Sequence, residues 1–250
     1  MIAYSDVESN YMDTIQGNTE VKSLALEGDF IQQNKFIYGK RSQLLKNINL
    51  EIKKGELITL TGESGCGKST ILQIMMRFYT PESGEILWNG QNSREIPLKD
   101  WRKSIGYVPQ NIKIFQATLL ENICLKNTQE EAQKVIYFCQ QHGFDKYFHS
   151  LPQSYLTIIG ENGVHLSGGQ TQLLALSRVL YHKPQLLLLD EATSAMDTHT
   201  ENFVIQLLQS LQKETAIVWV SHKPEIANLG KRIYHINAGK SLLKNISVLP

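Results

Sequence analysis

The sequence predicts an α/β fold built on a largely parallel β-sheet, and three observations lead to this class. Short runs of apolar and β-branched residues recur along the chain, and each is short enough for a strand covered on both faces. Amphipathic helical stretches alternate with these runs, as they do where crossover helices join parallel strands. The 250 residues are 42% hydrophobic, which is enough for one sizeable globular domain with a smaller subdomain.

The elements can be placed along the chain from these patterns. Buried strands are predicted at residues 57–61, 105–108, 186–189, 216–220 and 233–236. Helices are predicted at 71–78, 130–142 and 172–180. The strand pattern is missing between Asn111 and Tyr181, so we expect a helical insertion at about 111–181. Residues 1–23 are polar and have only patchy periodicity, which predicts a leader before a domain that spans 24–250.

Composition and charge make several classes of function less favoured. The formal net charge is +1, so no strong positive field is available and a nucleic-acid partner is disfavoured. No apolar run reaches about 18 residues, the length that a membrane-spanning helix requires. The polar N-terminus lacks a signal-peptide pattern, and the three cysteines form no Cys-x-x-Cys pair. We therefore expect a chain that is soluble when isolated and resides in a reducing, cytoplasmic compartment.

Residues 62–69 fit the phosphate-loop pattern at every position, with a predicted strand before them and a helix after them. Glycines let successive backbone N–H groups converge on phosphates, and the positive end of the helix dipole adds to the attraction. Lys68 is predicted to reach the terminal phosphates of ATP, and the Ser69 hydroxyl to ligate Mg²⁺. The alternative is a glycine-rich turn with a chance lysine, which the matching context disfavours. The predicted nucleotide-binding residues of the loop are Gly62, Glu63, Ser64, Gly65, Cys66, Gly67, Lys68, Ser69 and Thr70.

Two acidic residues follow the strand predicted at 186–189. The carboxyl end of a strand is where open α/β sheets bind ligands. Asp190 is therefore predicted to hold Mg²⁺, and Glu191 to orient and deprotonate the attacking water as general base. Without the phosphate loop, this pair would be read as a solvated strand end.

Residues 166–170 read Leu-Ser-Gly-Gly-Gln and lie between the phosphate loop and the carboxylate strand. This motif, in this order, resembles the signature of the ATP-hydrolysing domains of ABC transporters, and the resemblance covers nearly all of 24–239. It implies a P-loop NTPase (RecA-like) core with a mainly parallel sheet, an antiparallel β subdomain and an inserted α-helical subdomain. It also implies that Ser167, Gly168, Gly169 and Gln170 address a nucleotide held by a second copy of the domain, in a head-to-tail dimer.

Further positions match the pattern of the family one by one. Tyr38 is implied to stack on adenine, Gln110 to meet Mg²⁺ and the membrane domains, and His222 to contact the terminal phosphate in catalysis. A core tyrosine, a plain loop glutamine and a surface histidine are the respective alternatives. Residues 194–197 resemble the loop that crosses between the two ATP domains, although Met196 stands where leucine is usual. Thr171 follows the signature where many members carry a basic residue.

Residues 159–163 resemble a short glycine-glutamate loop of ABC exporters, where it touches the transmembrane domains. The resemblance thus implies an ATPase that powers export, of the type found in bacterial peptide, bacteriocin or protein exporters, at the cytoplasmic face of a membrane. Two other readings stay open. A soluble ABC ATPase that works on nucleic acid or ribosomes should carry two cassettes or basic extensions. A catalytically silent module should have lost Lys68, Glu191 or His222.

Overall fold

The computed structural model of the chain describes residues 30–36, 45–126, 129–237 and 240–244. Tyr38 and the predicted leader 1–23 lie outside the described residues. The chain divides into two compact units. The helical unit contains Val108–Lys183 and Ala192–Leu208, and the sheet unit contains the described parts of Ser23–Tyr107, Pro184–Glu191 and Gln209–Pro250. The boundaries at 24–250 and 111–181 stay predictions.

The central element of the sheet unit is a six-stranded β-sheet in the order β12-β11-β3-β10-β9-β6. Strands β11, β3, β10 and β9 run parallel, and β12 pairs antiparallel with β11. The mainly parallel sheet of the predicted fold is thereby confirmed. The strands are β3 (Leu57–Thr61), β6 (Ile105–Val108), β9 (Leu186–Asp190), β10 (Ala216–Val220), β11 (Arg232–Asn237) and β12 (Lys240–Lys244).

A second sheet of the same unit has four antiparallel strands in the order β2-β1-β4-β5. This is the antiparallel β part that the family resemblance implied. Its strands are β1 (Phe30–Phe36), β2 (Leu45–Ile52), β4 (Ser83–Trp88) and β5 (Gln91–Asn92). Apolar residues of both sheets and of the helix Lys68–Met75 form one buried core, which fixes the ends of β3 and β9 where the candidate site lies.

The helix that follows β3 spans Lys68–Met75 and ends earlier than the predicted 71–78. Arg77 adopts a left-handed backbone conformation with φ 56°, and Phe78 N–H donates to the Gln73 carbonyl at 2.9 Å. This bond and the left-handed residue before it close the last helical turn in a Schellman arrangement. The Arg77 guanidinium donates to the Ile96 carbonyl at 2.7 Å, which anchors this irregular residue. The other helices of the sheet unit are Leu98–Ser104, Pro224–Ala227 and the 3₁₀ turn Ser93–Glu95.

The helical unit covers the stretch 111–181, where the sequence predicts a helical insertion. Its helices are Leu119–Cys124, Gln129–Gln141, Asp145–Phe148, Gly168–Tyr181 and most of Thr198–Leu211, with a 3₁₀ turn at Ser154–Leu156. A two-stranded antiparallel ribbon, β7 (Ala117–Thr118) with β8 (Ile158–Ile159), corrects the prediction that this stretch has no strand. Two residues per strand are too few to produce an alternating pattern.

Among the helices in the described part of the chain, none combines the length and the apolar character needed to span a bilayer.

Candidate nucleotide site

The loop between β3 and the helix Lys68–Met75 has the backbone that its glycines predict. Gly62, Gly65 and Gly67 have φ values of 144°, 78° and 104°, a region that disfavours residues with a Cβ atom. A Cβ atom added at Gly62 would also overlap the Ile236 carbonyl oxygen. Glycine is therefore required at Gly62 both by the backbone conformation and by the close approach of β11.

Lys68 lies inside this loop, with only 6% of its surface exposed. Its Nζ atom donates hydrogen bonds to the carbonyl oxygens of Gly62 at 2.9 Å and Glu63 at 2.8 Å. The N-cap residue Gly67 supplies no side-chain hydrogen bond to the helix that Lys68 begins. A buried cation and an N-terminus without a side-chain cap both favour an anion at this loop.

Asp190 ends β9 and is 3% exposed. Burial raises the pKa of the Asp190 carboxyl, and hydrogen bonds from Ser69 and Tyr107 together with the charge of Lys68 oppose part of that rise. The Tyr107 hydroxyl lies 3.5 Å from Asp190 Oδ2, a long hydrogen bond. The structure thus brings Lys68, Ser69 and Asp190 together at the carboxyl ends of β3 and β9.

Glu191 follows Asp190 and meets His222, which comes shortly after β10. Glu191 Oε1 lies 3.1 Å from His222 Nε2. The Glu191 backbone has φ 52°, unusual for a residue with a side chain, and its N–H donates to the Val220 carbonyl at 3.1 Å. Strained backbone of this kind is concentrated at functional sites. The Glu191–His222 pair is therefore a second cluster of predicted site residues within the sheet unit.

The signature residues lie in the helical unit, at the start of the helix Gly168–Tyr181, which we call the signature helix. Ser167 is its N-cap: Ser167 Oγ accepts from Gln170 N–H at 3.2 Å, and Gln170 Oε1 accepts from Ser167 N–H at 2.9 Å. This reciprocal pair is a capping box. Ser167 and Gly168 are exposed, so the capped helix end faces outward from its unit.

The other predicted residues are placed as follows. Gln110 is exposed in the helical unit, just after β6, and Glu161 is exposed in the loop 159–163. That loop is held by Gln116, whose Oε1 accepts the Asn162 N–H at 2.9 Å.

Asp197 caps the helix Thr198–Leu211 by accepting from Thr200 N–H at 2.9 Å and Thr200 Oγ1 at 2.8 Å. These bonds lower the pKa of the Asp197 carboxyl. Tyr38, predicted to contact adenine, lies outside the described residues.

Sequence reasoning missed two side chains that touch predicted elements. Tyr107 was read only as part of a strand, yet its hydroxyl reaches Asp190 across 83 positions of sequence. Gln172 was read only as the first residue of the predicted helix 172–180, yet it is 5% exposed and bonds to the loop 194–197. A signal for Gln172 existed, because it is a polar residue at a buried position of an otherwise apolar helix face.

Comparison with known proteins identifies the family. The sequence profile described as "ABC transporter" matches residues 45–194, more than half of the chain. The chain belongs to the ABC transporter family. This confirms the resemblance to ABC ATPase domains that the signature motif indicated.

Relatives of this ABC chain include bacterial and eukaryotic proteins. "Leukotoxin translocation ATP-binding protein LktB" of Mannheimia glucosida is 35% identical over 240 residues, which are 94% of this chain and 33% of the relative. "Alpha-hemolysin translocation ATP-binding protein HlyB" of Escherichia coli is 36% identical over 220 residues, 86% of this chain and 31% of the relative. "Multidrug resistance protein 3" of Entamoeba histolytica is 40% identical over 204 residues, 79% of this chain and 15% of the relative.

A solved structure described as a bacterial Atm1-family ABC exporter with ATP bound superposes with a TM-score of 0.81 at 27% identity. The match covers 93% of this chain and 41% of that one. The chain therefore spans about a third or less of the three relatives named above and less than half of the solved exporter.

Proposed function

We propose that this chain binds MgATP and hydrolyses it as the nucleotide-binding domain of an ABC exporter. The observation that carries the proposal is the grouping of functional side chains in the sheet unit. Lys68 is buried in a glycine loop, Ser69 bonds to Asp190, and Glu191 pairs with His222 at 3.1 Å. A silent member of the family would have no need for this set.

The residues present fit a nucleotide triphosphate with Mg²⁺. The phosphates are proposed to bind at the loop amides and Lys68, because the helix end there lacks a side-chain cap. Ser69 and Asp190 offer oxygen atoms, and Mg²⁺ in phosphate sites takes one or two carboxylates or hydroxyls besides the phosphates. When bound, Mg²⁺ would neutralise charge on the phosphates. Gln110 is proposed as a further oxygen ligand, and Tyr38 as the residue that stacks on adenine.

Glu191 is proposed as the general base of hydrolysis. Its carboxylate takes a proton from water while the water oxygen bonds to the terminal phosphorus and the bond from that phosphorus to the ADP oxygen breaks. His222 Nε2 lies 3.1 Å from Glu191 Oε1 and is proposed to hold the carboxylate in one orientation and to contact the terminal phosphate. ADP and inorganic phosphate are the products.

A second copy of the chain is proposed as the partner of this site. The exposed N-terminal end of the signature helix, residues 167–170, is called the signature tip; with Ser167 and the glycine amides it has the features of an anion-binding helix end. In a head-to-tail dimer it would contact the ATP that Lys68 of the other copy holds, so each nucleotide would lie between two chains. Binding of ATP would close the dimer, and hydrolysis would release it.

Export is the proposed use of this cycle. LktB and HlyB are described as translocation ATP-binding proteins, and the superposed structure as an exporter. The exposed loop around Glu161 and the exposed Gln110 are proposed to contact transmembrane domains, which would hold the chain at the cytoplasmic face of a membrane. The cargo is proposed to be a peptide or protein, by analogy with these two relatives.

The decisive variant for hydrolysis is Glu191→Gln, which keeps the shape of the side chain but removes the base. We expect ATP turnover to fall by about 10²- to 10⁴-fold while binding of a fluorescent ATP analogue is retained. Glu225→Gln is the matched control, because Glu225 is an exposed carboxylate three positions after His222. If Glu191→Gln turns over ATP at the rate of that control, Glu191 is not the base.

A further inference from the structure

Gln172 lies one turn into the signature helix, and its side chain is buried instead of solvated. Its Nε2 atom donates to Ser194 Oγ at 3.0 Å, and its Oε1 atom accepts from Ala195 N–H at 3.0 Å. One amide group thus bonds to two successive residues of the loop 194–197, more than twenty positions away in sequence. A two-point contact of this kind fixes both the distance and the orientation of the loop.

A second observation places the same loop against the same helix. A Cβ atom added at Gly168 would lie 2.9 Å from Ala195 Cβ, and one added at Gly169 would lie 3.3 Å from the Ala195 carbonyl oxygen. The first turn of the signature helix therefore touches the loop backbone directly. Gln172 bonds to the loop, and the absence of side chains at the two glycines leaves room for its close approach.

The proposed function directs the tip of the signature helix at the second copy, and the family resemblance implies that the loop 194–197 also crosses to it. Ser167 and Gly168 are exposed at the helix tip, while Ser194, Ala195 and Asp197 are exposed in the loop. Met196, between them, is buried. The exposed Asp197 side chain caps the helix Thr198–Leu211. The loop is thus anchored at its far end by Asp197 and at its near end by Gln172.

We infer that Gln172 is a positioning residue that joins the loop 194–197 to the signature tip, so that both meet the second copy of the chain as one preformed surface. Gln172 touches neither nucleotide nor water in this role and acts through Ser194 and Ala195. The inference rests on the proposed head-to-tail dimer. Preformed surfaces bind better because less motion is lost on association.

The first test is independent of dimer formation. Gln172→Met keeps the length and apolar stem of the side chain but removes both hydrogen bonds. We expect the Ala195 amide to exchange its hydrogen about tenfold faster in this variant, which corresponds to the loss of a hydrogen bond of ordinary strength. Ser177→Ala is the control: Ser177 is buried on the same helix, but its hydroxyl bonds to Leu174 O at 2.8 Å and not to the loop. Unchanged exchange at Ala195 in Gln172→Met would overturn the inference.

The second test measures ATP-driven dimerisation by sedimentation, in chains that also carry Glu191→Gln so that ATP is not consumed. Gln172→Met is expected to weaken dimerisation by about tenfold and to leave binding of a fluorescent ATP analogue to the monomer within twofold. Equal dimerisation by the Gln172→Met and Ser177→Ala chains would contradict the positioning role but leave the proposed function intact. If the Glu191→Gln chain itself stays monomeric with MgATP, the dimer proposal fails, and the amide exchange alone decides the role of Gln172.

Ser194→Ala tests the same contact from the side of the loop, and as a single variant it does not depend on the folding of Gln172→Met. It removes only the hydroxyl that Gln172 Nε2 contacts, on an exposed residue. Alone, it should speed exchange at Ala195 by less than the Gln172 variant does. Added to Gln172→Met, it should have no further effect, because the partner of the hydroxyl is already gone. Additive effects in this cycle would contradict the inference.

Discussion

Two helix N-termini of this chain carry short glycine motifs, and they are capped in different ways. The helix Lys68–Met75 has Gly67 at its N-cap and no side-chain hydrogen bond to its first turn. The signature helix has a complete capping box between Ser167 and Gln170. The first end has no side-chain partner for its amides, whereas the second pairs the Ser167 and Gln170 N–H groups within its own chain and leaves the Gly168 and Gly169 amides outside the capping box.

The two regions also differ in burial. Lys68 and Asp190 are enclosed, and burial raises the pKa of the Asp190 carboxyl. Ser167 and Gly168 are exposed. The phosphate-loop region therefore buries charged groups at a cost in folding free energy, as expected of a site that binds a charged ligand. The signature tip is stable by itself and is presented outward. Substitutions in the two regions should consequently change stability with opposite signs.

The larger effect is expected for Asp190→Asn in the absence of nucleotide and Mg²⁺. The pKa of Asp190 is raised above its ordinary value of 3.8, so the folded state binds the proton more tightly than the unfolded state. Stability is then lost as pH rises through the window from 3.8 to the raised pKa. Asp190→Asn should remove this cost and raise the free energy of unfolding at pH 7, by on the order of 1 kcal/mol or somewhat more.

Thermal unfolding across a pH series checks this prediction. The gain should shrink as pH falls toward 3.8, because the wild-type carboxyl becomes protonated there. Asp100→Asn is the control, since Asp100 is an exposed carboxylate of the same unit and should give no gain. The variant should also lose the stabilisation that Mg²⁺ adds to bound ATP. A lower melting temperature of Asp190→Asn at pH 7 would mean that neighbouring groups already compensate the Asp190 charge, and it would contradict the predicted cost of burying that charge.

A smaller effect of opposite sign is expected for Ser167→Ala. Loss of the N-cap should lower the free energy of unfolding by about 1 kcal/mol and should also lower ATP turnover, since the hydroxyl is proposed to serve the second copy. Thr118→Ala is a close control, because Thr118 forms the same capping box with Glu121 at the helix Leu119–Cys124 of the same unit. It should cost similar stability and leave turnover unchanged. Equal turnover in the two variants would remove Ser167 from the site.

The sequence predicted the parts of this molecule that local pattern determines. Strands β3 and β10 begin and end at the predicted residues because both faces of each are buried and the apolar runs are continuous. The phosphate loop was predictable because its backbone conformation requires glycine at fixed positions, and the sequence has glycine at those positions. The helix after it was predicted too long, since Phe78 continues the apolar period after Arg77 has already turned the chain.

What the sequence missed depends on contacts between distant residues. Tyr107 meets Asp190, and Gln172 meets Ser194 and Ala195, only because the fold brings separate segments together. No periodicity records such contacts. The Glu191–His222 pairing was accessible only in part: each residue was predicted from the family pattern, but their 3.1 Å contact follows from the pairing of β9 with β10.

The central claim is that each ATP lies between Lys68 of one chain and Ser167 of another, and a mixing experiment tests it most directly. One chain carries Lys68→Met and the other Ser167→Asp, which keeps an N-cap acceptor but places a negative charge against the phosphates. Both also carry Glu191→Gln. With MgATP, we expect each to sediment as a monomer alone, and the mixture to form dimers with one intact site. A mixture that stays monomeric, while the Glu191→Gln parent dimerises, would contradict the account.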